Sequence, residues 1–446
     1  MKQQLLFTNQ DLKNMVIPLF FEQLLVMLVG LADTIIVSYA GEAAISGVSL
    51  VNQFNTIFIY LFSALASGGA VVISQYIGKG KKEQAGEAAS RLLSFSCSFA
   101  IILSFIILIA DKPILKIMFG QVEADVMNAC VVYLRISAYS YPAIAIYNAG
   151  ISMFRSFGDT KTAMYISVIS NIINIVGNLL GVFVFKAGVA GVAYPSFIAR
   201  VFSAVVITVL CFKTNNSVSY HWKYILSWNG NMIKNILRIA IPNGVENGIF
   251  QLVKVALSSI VALFGTYQIA ANGVAQTIWS LAALAGLAMA PVFITVIGQC
   301  MGQKNIEAAE YYYRKLLKIT ILLSVFWNVL IFLFTPLFLR LYALNEETKN
   351  LILILVLIHN IFNALTFPFT GALSNGLRAA GDVRYTMLVS ILSTVLVRLT
   401  LSYLFSVLFN WGVIGIALAM CVDWIVKTIF FATRFTSGKW KYFNVI

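Results

Sequence analysis

The stretch that decides the reading runs from Ile17 to Gly41, IPLFFEQLLVMLVGLADTIIVSYAG. As a helix it is long enough to cross the hydrocarbon core of a bilayer, roughly 30 Å thick. It nevertheless carries a carboxylate, Asp33, inside its apolar run. It also has a second copy. Ile17-Pro18 followed by Glu22-Gln23 returns as Ile241-Pro242 followed by Glu246-Asn247, at an offset of 224. Gln75-Tyr76-Ile77-Gly78 returns as Gln299-Cys300-Met301-Gly302, and Gly188-Val189-Ala190-Gly191 as Gly412-Val413-Ile414-Gly415, both again at 224. Arg155-Ser156-Phe157-Gly158-Asp159 returns as Arg378-Ala379-Ala380-Gly381-Asp382 at 223. Three matches at 224 and a fourth at 223 mark a duplicated half.

Composition says which solvent these halves fold in. Hydrophobic residues make up 60% of the chain and charged ones 11%, too little charge to cover a water-exposed surface. In lipid, backbone polar groups must be satisfied within a helix or a closed barrel, and the apolar runs are too long for barrel strands. Twelve spans are predicted, roughly 14–40, 45–77, 88–110, 126–153, 161–185, 189–212, 235–263, 268–301, 312–338, 347–375, 384–407 and 412–434. The expected architecture is an all-α membrane protein of twelve transmembrane helices. They form two parallel-repeat six-helix lobes around a central cavity, because an even number of spans per repeat gives both halves the same orientation. The expected boundaries are 1–212 for the first lobe, 213–233 for a polar link that includes Thr214 to Asn231, and 234–446 for the second lobe.

The net charge of +14 invites a nucleic-acid reading, but the placement of the charges opposes it. Alternate loops and adjoining span ends, from Lys2 and Lys13 through Lys79–Lys82 to Lys427, Arg434, Lys439 and Lys441, collect 22 Lys and Arg. The opposite side receives five, Lys112, Lys116, Lys186, Arg340 and Lys349. The positive-inside rule then puts both termini in the cytoplasm and the chain in the inner or plasma membrane. The polar start, Met1 to Gln10, gives no sign of a cleavable signal peptide.

Enzymatic classes find no footing. The sequence has no GxxxxGK[ST] phosphate loop, no HExxH and no nucleophile elbow. The five cysteines sit singly in apolar stretches, and there are only two histidines, His221 and His359.

Ionisable groups inside spans are costly there and are functional candidates for that reason. Glu22 precedes Asp33 by three helical turns, so both carboxylates can face one cavity. Asn171, Asn174 and Asn178 form a stripe at spacings of three and four; helix–helix hydrogen bonding is the alternative role for it. In the second half, Glu246 is followed by Gln251 and Lys254; Glu246 and Lys254, eight apart, lie near the same face, and a pair, direct or through a water, is possible. Arg398 and Asp423 are expected to pair as a structural charge pair, since an unpaired buried charge is expensive. Arg135 and Arg200 are read as snorkelling near span ends, and His359 as a hydrogen-bonded histidine. Gln53 and Asn55, with Asn272 and Gln276, complete the polar candidates for a substrate cavity. Asp159 and Asp382, each after a glycine, are read as turn and capping residues.

The repeated motifs resemble those of the multidrug and toxic compound extrusion family over nearly the full length. The carrying segments are Ile17 to Gly41, SQYIGKG (Ser74 to Gly80), FRSFGDTKTAM (Phe154 to Met164) and NGLRAAGDVRYTM (Asn375 to Met387). The resemblance implies a secondary antiporter exporting small, often cationic and lipophilic organic molecules in exchange for Na⁺ or H⁺; a monomer without a cofactor is expected. A lipid-linked saccharide flippase of the same broad superfamily is the alternative, which the acidic Glu22, Asp33 and Glu246 oppose. The family's cation site carries over onto Asp33, Asn174, Asn178 and Ser196. Asn178 stands where the family has an Asp and Ser196 where it has a Thr. No metal beyond Na⁺ at Asp33, Asn174 and Asn178 is implied. Arg398 is the repeat mate of Asn174, so the second half is expected to lack that cation site.

Overall fold

The computed structural model describes residues 6–120, 122–213, 218–227, 229–340, 344–443 and 445–446. Lys2 of the expected basic side and residues 214–217 and 228 of the expected link lie outside the described residues.

Among the described residues the chain is helical, without strands. The first half contributes α1 (Asn9–Ser38), α2 (Glu42–Gly78), α3 (Lys82–Phe119), α4 (Ala124–Tyr139), α5 (Tyr141–Ser156), α6 (Lys161–Val184) and α7 (Ala190–Lys213). A short α8 (Trp222–Ile225) follows, and α9 (Gly230–Val261) opens the second half. Then come α10 (Thr266–Ala282) and α11 (Leu284–Gly302), followed by α12 (Ile306–Leu339), α13 (Glu346–Ala380), α14 (Val383–Leu408) and α15 (Gly412–Thr436).

Ten of these helices are long and apolar enough to cross a membrane, and α4 with α5 makes one more span, bent by 43°. The twelfth expected span is α9, whose 32 residues would reach across but include Asn243, Glu246, Asn247, Gln251 and Lys254. Helix α10 runs almost directly into α11 through Ala283, and the pair covers the single span expected there. Large apolar side chains such as Phe21, Leu28 and Ile35 on α1 and Ile101, Phe105 and Ile109 on α3 are exposed. In water that would be a liability; against lipid it is the expected face.

Packing divides the chain into two compact units. One is Lys13–Gly244; the other joins the N-terminal residues up to Leu12 to Val245–Ile446. Phe7 belongs to the second unit through its backbone: its N–H donates to Tyr312 Oη at 2.8 Å, and that hydroxyl donates to the Phe7 carbonyl at 2.7 Å.

The duplication reaches the backbone. Gly188 and Gly412, 224 apart, both have φ +56°. Lys186 (φ 49°) and Asn410 (φ 58°), also 224 apart, take the left-handed conformation in the same turn. Gly158 (φ 89°) and Gly381 (φ 104°) do so after α5 and within the α13–α14 turn. Each half also widens to a π-helical turn at matching places, Leu180–Val184 and Leu404–Leu408. Two helices of the first unit, α6 and α7, meet backbone to backbone where Gly181 faces Gly191. A side chain on either would collide, which is why small residues mark such crossings in membranes.

The described part of the link is held on the start of α3. His221 N donates to Ser90 Oγ at 3.0 Å, Tyr224 Oη to Glu83 at 2.8 Å and Asn229 Nδ2 to Glu87 at 2.9 Å. Glu83 is a solvent-side carboxylate, and its bond to Tyr224 pushes that phenol's pKa upward.

Candidate functional site

Asp33 stands five residues before the end of α1, nearer that end than the middle of the span. Asn178 Nδ2, from α6, donates to its Oδ1 at 2.8 Å. Asn174 lies one turn earlier on α6 and Ser196 on α7; the two are 2.8 Å apart through amide and hydroxyl. The Asn174 amide atom nearest the carboxylate is 2.9 and 3.1 Å from its two oxygens. Oxygen and nitrogen of an amide are assigned from the hydrogen-bond network. With nitrogen toward Asp33, Asn174 donates to both carboxylate oxygens and accepts from Ser196. Asn178 Oδ1 is buried and has no hydrogen bond among the described residues. The structure thus brings Asp33, Asn174, Asn178 and Ser196 into one cluster, and Asn171 stays outside it, bonded to Ser167.

Several nearby contacts go beyond the sequence reading. Arg200 is half-buried and donates to the fully buried Ser140 Oγ at 2.7 Å rather than snorkelling. Ser140 is the bend between α4 and α5, followed by Pro142, and that Ser/Pro pairing was the available signal for a kink. Tyr133 and Tyr141 donate to Asn52 Oδ1 at 3.1 Å and to Asn55 Oδ1 at 2.7 Å. Asn55 is buried, whereas Gln53 is exposed. Arg135 bonds Asp111.

Glu22 is elsewhere. It is buried in an ion pair with Arg155, whose Nη2 lies 2.8 and 2.9 Å from its two oxygens. Its repeat mate Glu246 does the same: Arg378 Nη2 is 2.7 Å from both oxygens. The possible Glu246–Lys254 pair is therefore corrected, since Arg378 takes the carboxylate and Lys254 is exposed. Gln251, Asn272 and Gln276 are half-buried and make no side-chain hydrogen bond among the described residues.

The expected Arg398–Asp423 pair is corrected as well. Asp423 is fully buried, and its oxygens are taken by Lys427 Nζ at 2.9 Å, one turn along α15, and by Ser393 Oγ at 2.6 Å. Lys427, counted among the basic loop residues by sequence, is 8% exposed and also donates to Thr394. Arg398 instead places Nη2 2.9 Å from Met420 Sδ and its guanidinium 5.5 Å from the Phe250 ring. His359 is fully buried with neither ring nitrogen bonded among the described residues, contrary to the hydrogen bond expected. Asp382 is held by Arg434 at 2.5 and 3.1 Å, while Asp159 caps α6 by accepting from Thr162 N at 3.1 Å. The five cysteines are free.

A duplicated bundle of membrane-crossing helices, with a carboxylate and two amides gathered inside one half, defines a polytopic membrane transporter. The chain belongs to the MatE family: the family model matches residues 18–180 and again 242–404, one match in each half. It is 27% identical over 430 residues to an uncharacterized transporter, YisQ, of Bacillus subtilis, covering 95% of this chain and 93% of that one. It is 25% identical over 443 residues to a probable multidrug resistance protein NorM of Thermotoga maritima, covering 97% and 93%. Its fold matches a crystal structure of MATE in complex with MaL6 with a TM-score of 0.89, at 24% identity and 96% coverage of both chains.

Proposed function

We propose that this protein is a secondary antiporter that exports small, often cationic organic compounds from the cell in exchange for Na⁺ or H⁺. The coupling ion is taken at Asp33, Asn174, Asn178 and Ser196. The related NorM protein is a probable multidrug resistance protein, which supports an organic export cargo. The two six-helix lobes, 1–212 and 234–446 with the link 213–233 between them, alternate access to the two sides of the membrane.

One observation carries the reading: the Asn174 amide atom 2.9 and 3.1 Å from the Asp33 oxygens. With nitrogen there, the Asn174 and Asn178 amides satisfy the carboxylate, and Asn178 Oδ1 is left without a partner among the described residues. The carboxylate and that spare amide oxygen are hard donors suited to a proton or a monovalent cation. An ion bound there shifts the conformational equilibrium only if it prefers one state over the other. Asp33 is the only carboxylate in the cluster, so the site carries one negative charge, matched to one monovalent ion.

Dye efflux from cells expressing the protein tests this. Efflux is expected to collapse either on removing Na⁺ or on adding a protonophore, whichever identifies the ion. Efflux indifferent to both treatments contradicts the antiport reading.

A further inference from the structure

The second unit answers the Asp33 cluster with the opposite charge. Adding 224 to Asn174, Asn178 and Ser196 gives Arg398, Ser402 and Met420. The Asn174–Ser196 contact of 2.8 Å recurs as Arg398–Met420 at 2.9 Å. Arg398 also lines a cavity of about 190 Å³, wholly within the second unit, together with Lys427, Trp279, Trp424, Phe250 and Thr394.

The charges around this cavity do not balance. Glu246 is held by Arg378 at 2.7 Å and Asp423 by Lys427 at 2.9 Å. Those two carboxylates thus have cations of their own. Arg398 is 8% exposed, pairs with no carboxylate among the described residues, and leaves its Nε without a hydrogen bond. A thioether and a phenyl face are weak compensation for a buried guanidinium. The cavity also offers flat apolar walls: Trp279 and Trp424 stack with centroids 5.8 Å apart and an interplanar angle of 22°. Trp279 Nε1 is buried with no acceptor among the described residues, a second donor in want of one.

We infer that this cavity binds a small aromatic or apolar organic anion, its acid group on Arg398 and its body among the tryptophans. Cavities of about 150 Å³ are known to hold benzene, so a single ring with a carboxylate suits the space. A guanidinium presents several donors to a carboxylate, an arrangement that discriminates strongly against an amine in the same position. The inference goes beyond the exporter reading, because the site makes a binding prediction that holds with no ion gradient present.

The test is equilibrium binding to the full-length protein in phosphatidylcholine nanodiscs, read by quenching of tryptophan fluorescence. The probes are para-nitrobenzoate and para-nitrobenzylammonium, matched in shape and opposite in charge. The benzoate is expected to bind at least about tenfold tighter than the amine, and Arg398→Gln to remove that preference while Arg398→Lys keeps part of it. Asp33→Asn is expected to leave benzoate binding unchanged, which separates this site from the coupling cluster. Adding phosphatidylglycerol to the discs identifies the natural occupant. Competition points to the acidic head of a lipid, and its absence to a soluble acid; the anion site stands in both cases. Equal binding of the two probes to the unaltered protein overturns the inference, whether or not the Arg398 variants fold. So does full benzoate affinity in a folded Arg398→Gln.

Discussion

Arg378 grips Glu246 through a single nitrogen, Nη2, 2.7 Å from each carboxylate oxygen. The same grip joins Arg155 and Glu22 in the other half, at 2.8 and 2.9 Å. Each pair ties the early part of a lobe's first helix to the residues just before a left-handed glycine, Gly158 or Gly381. The duplicated motifs are therefore two halves of one structural device. They are the ends of an ion pair that holds each lobe's first helix to its core.

Removing one partner of a mostly buried pair strands a charge, at a cost of about 3–5 kcal/mol. Arg155→Ala and Arg378→Ala are each expected to lower the thermal midpoint in detergent by several degrees, and to do so independently because they lie in different units. Pairing Arg378→Met with Glu246→Gln should recover much of the loss. A double variant as unstable as the single one would show that the pair is not the source of the effect.

Lys427 gives a sharper contrast. Lys427→Met leaves the fully buried Asp423 without its cation, again worth about 3–5 kcal/mol, whereas Arg398→Gln removes a charge that holds no carboxylate. Thermal unfolding should therefore rank Lys427→Met well below Arg398→Gln. The reverse order would restore the Arg398–Asp423 pair.

The amides of the first unit should differ in consequence. Asn178→Ala removes a donor 2.8 Å from Asp33 and the spare oxygen beside it. A hydrogen bond to a charged group is worth about 1.5–3 kcal/mol, so ion affinity should fall roughly tenfold or more. Asn171→Ala, outside the cluster, should leave it unchanged. Concentration dependence of Na⁺- or H⁺-driven uptake into everted vesicles measures both.

Gly181→Leu should destabilise by about 1–3 kcal/mol, because the backbone of Gly191 occupies the space its side chain needs. Gly30→Ala, with nothing within 4 Å of the added carbon, should be tolerated. Similar expression and melting of both variants would remove the close α6–α7 contact from the account.

The fold was legible because the period of 224 is written in motifs that survive in both halves, and because apolar length alone fixes where helices cross. Asn174 and Asn178 were legible as a stripe; their meeting with Asp33, 145 residues away from Asn178, came from family resemblance and not from spacing. Charge partners were the weakest part. Asp423 and Lys427 sit at i, i+4, a readable spacing, but Lys427 was counted with the loops while Arg398 looked deep enough to need the same carboxylate. The Glu–Arg pairs were in reach too: both members repeat at nearly the same offset, 224 and 223, and two motifs that move together are candidates for contact. Nothing local marked Arg200, because its partner Ser140 depends on a helix bend.

The central claim is that Asp33 ties the ion's entry to the cargo's exit. It is tested most directly in proteoliposomes where an imposed gradient of exported dye is the only driving force. The unaltered protein should move Na⁺ or H⁺ against that flow, and Asp33→Asn should abolish the ion movement while the protein still binds dye. Ion movement of undiminished size in Asp33→Asn would contradict the account.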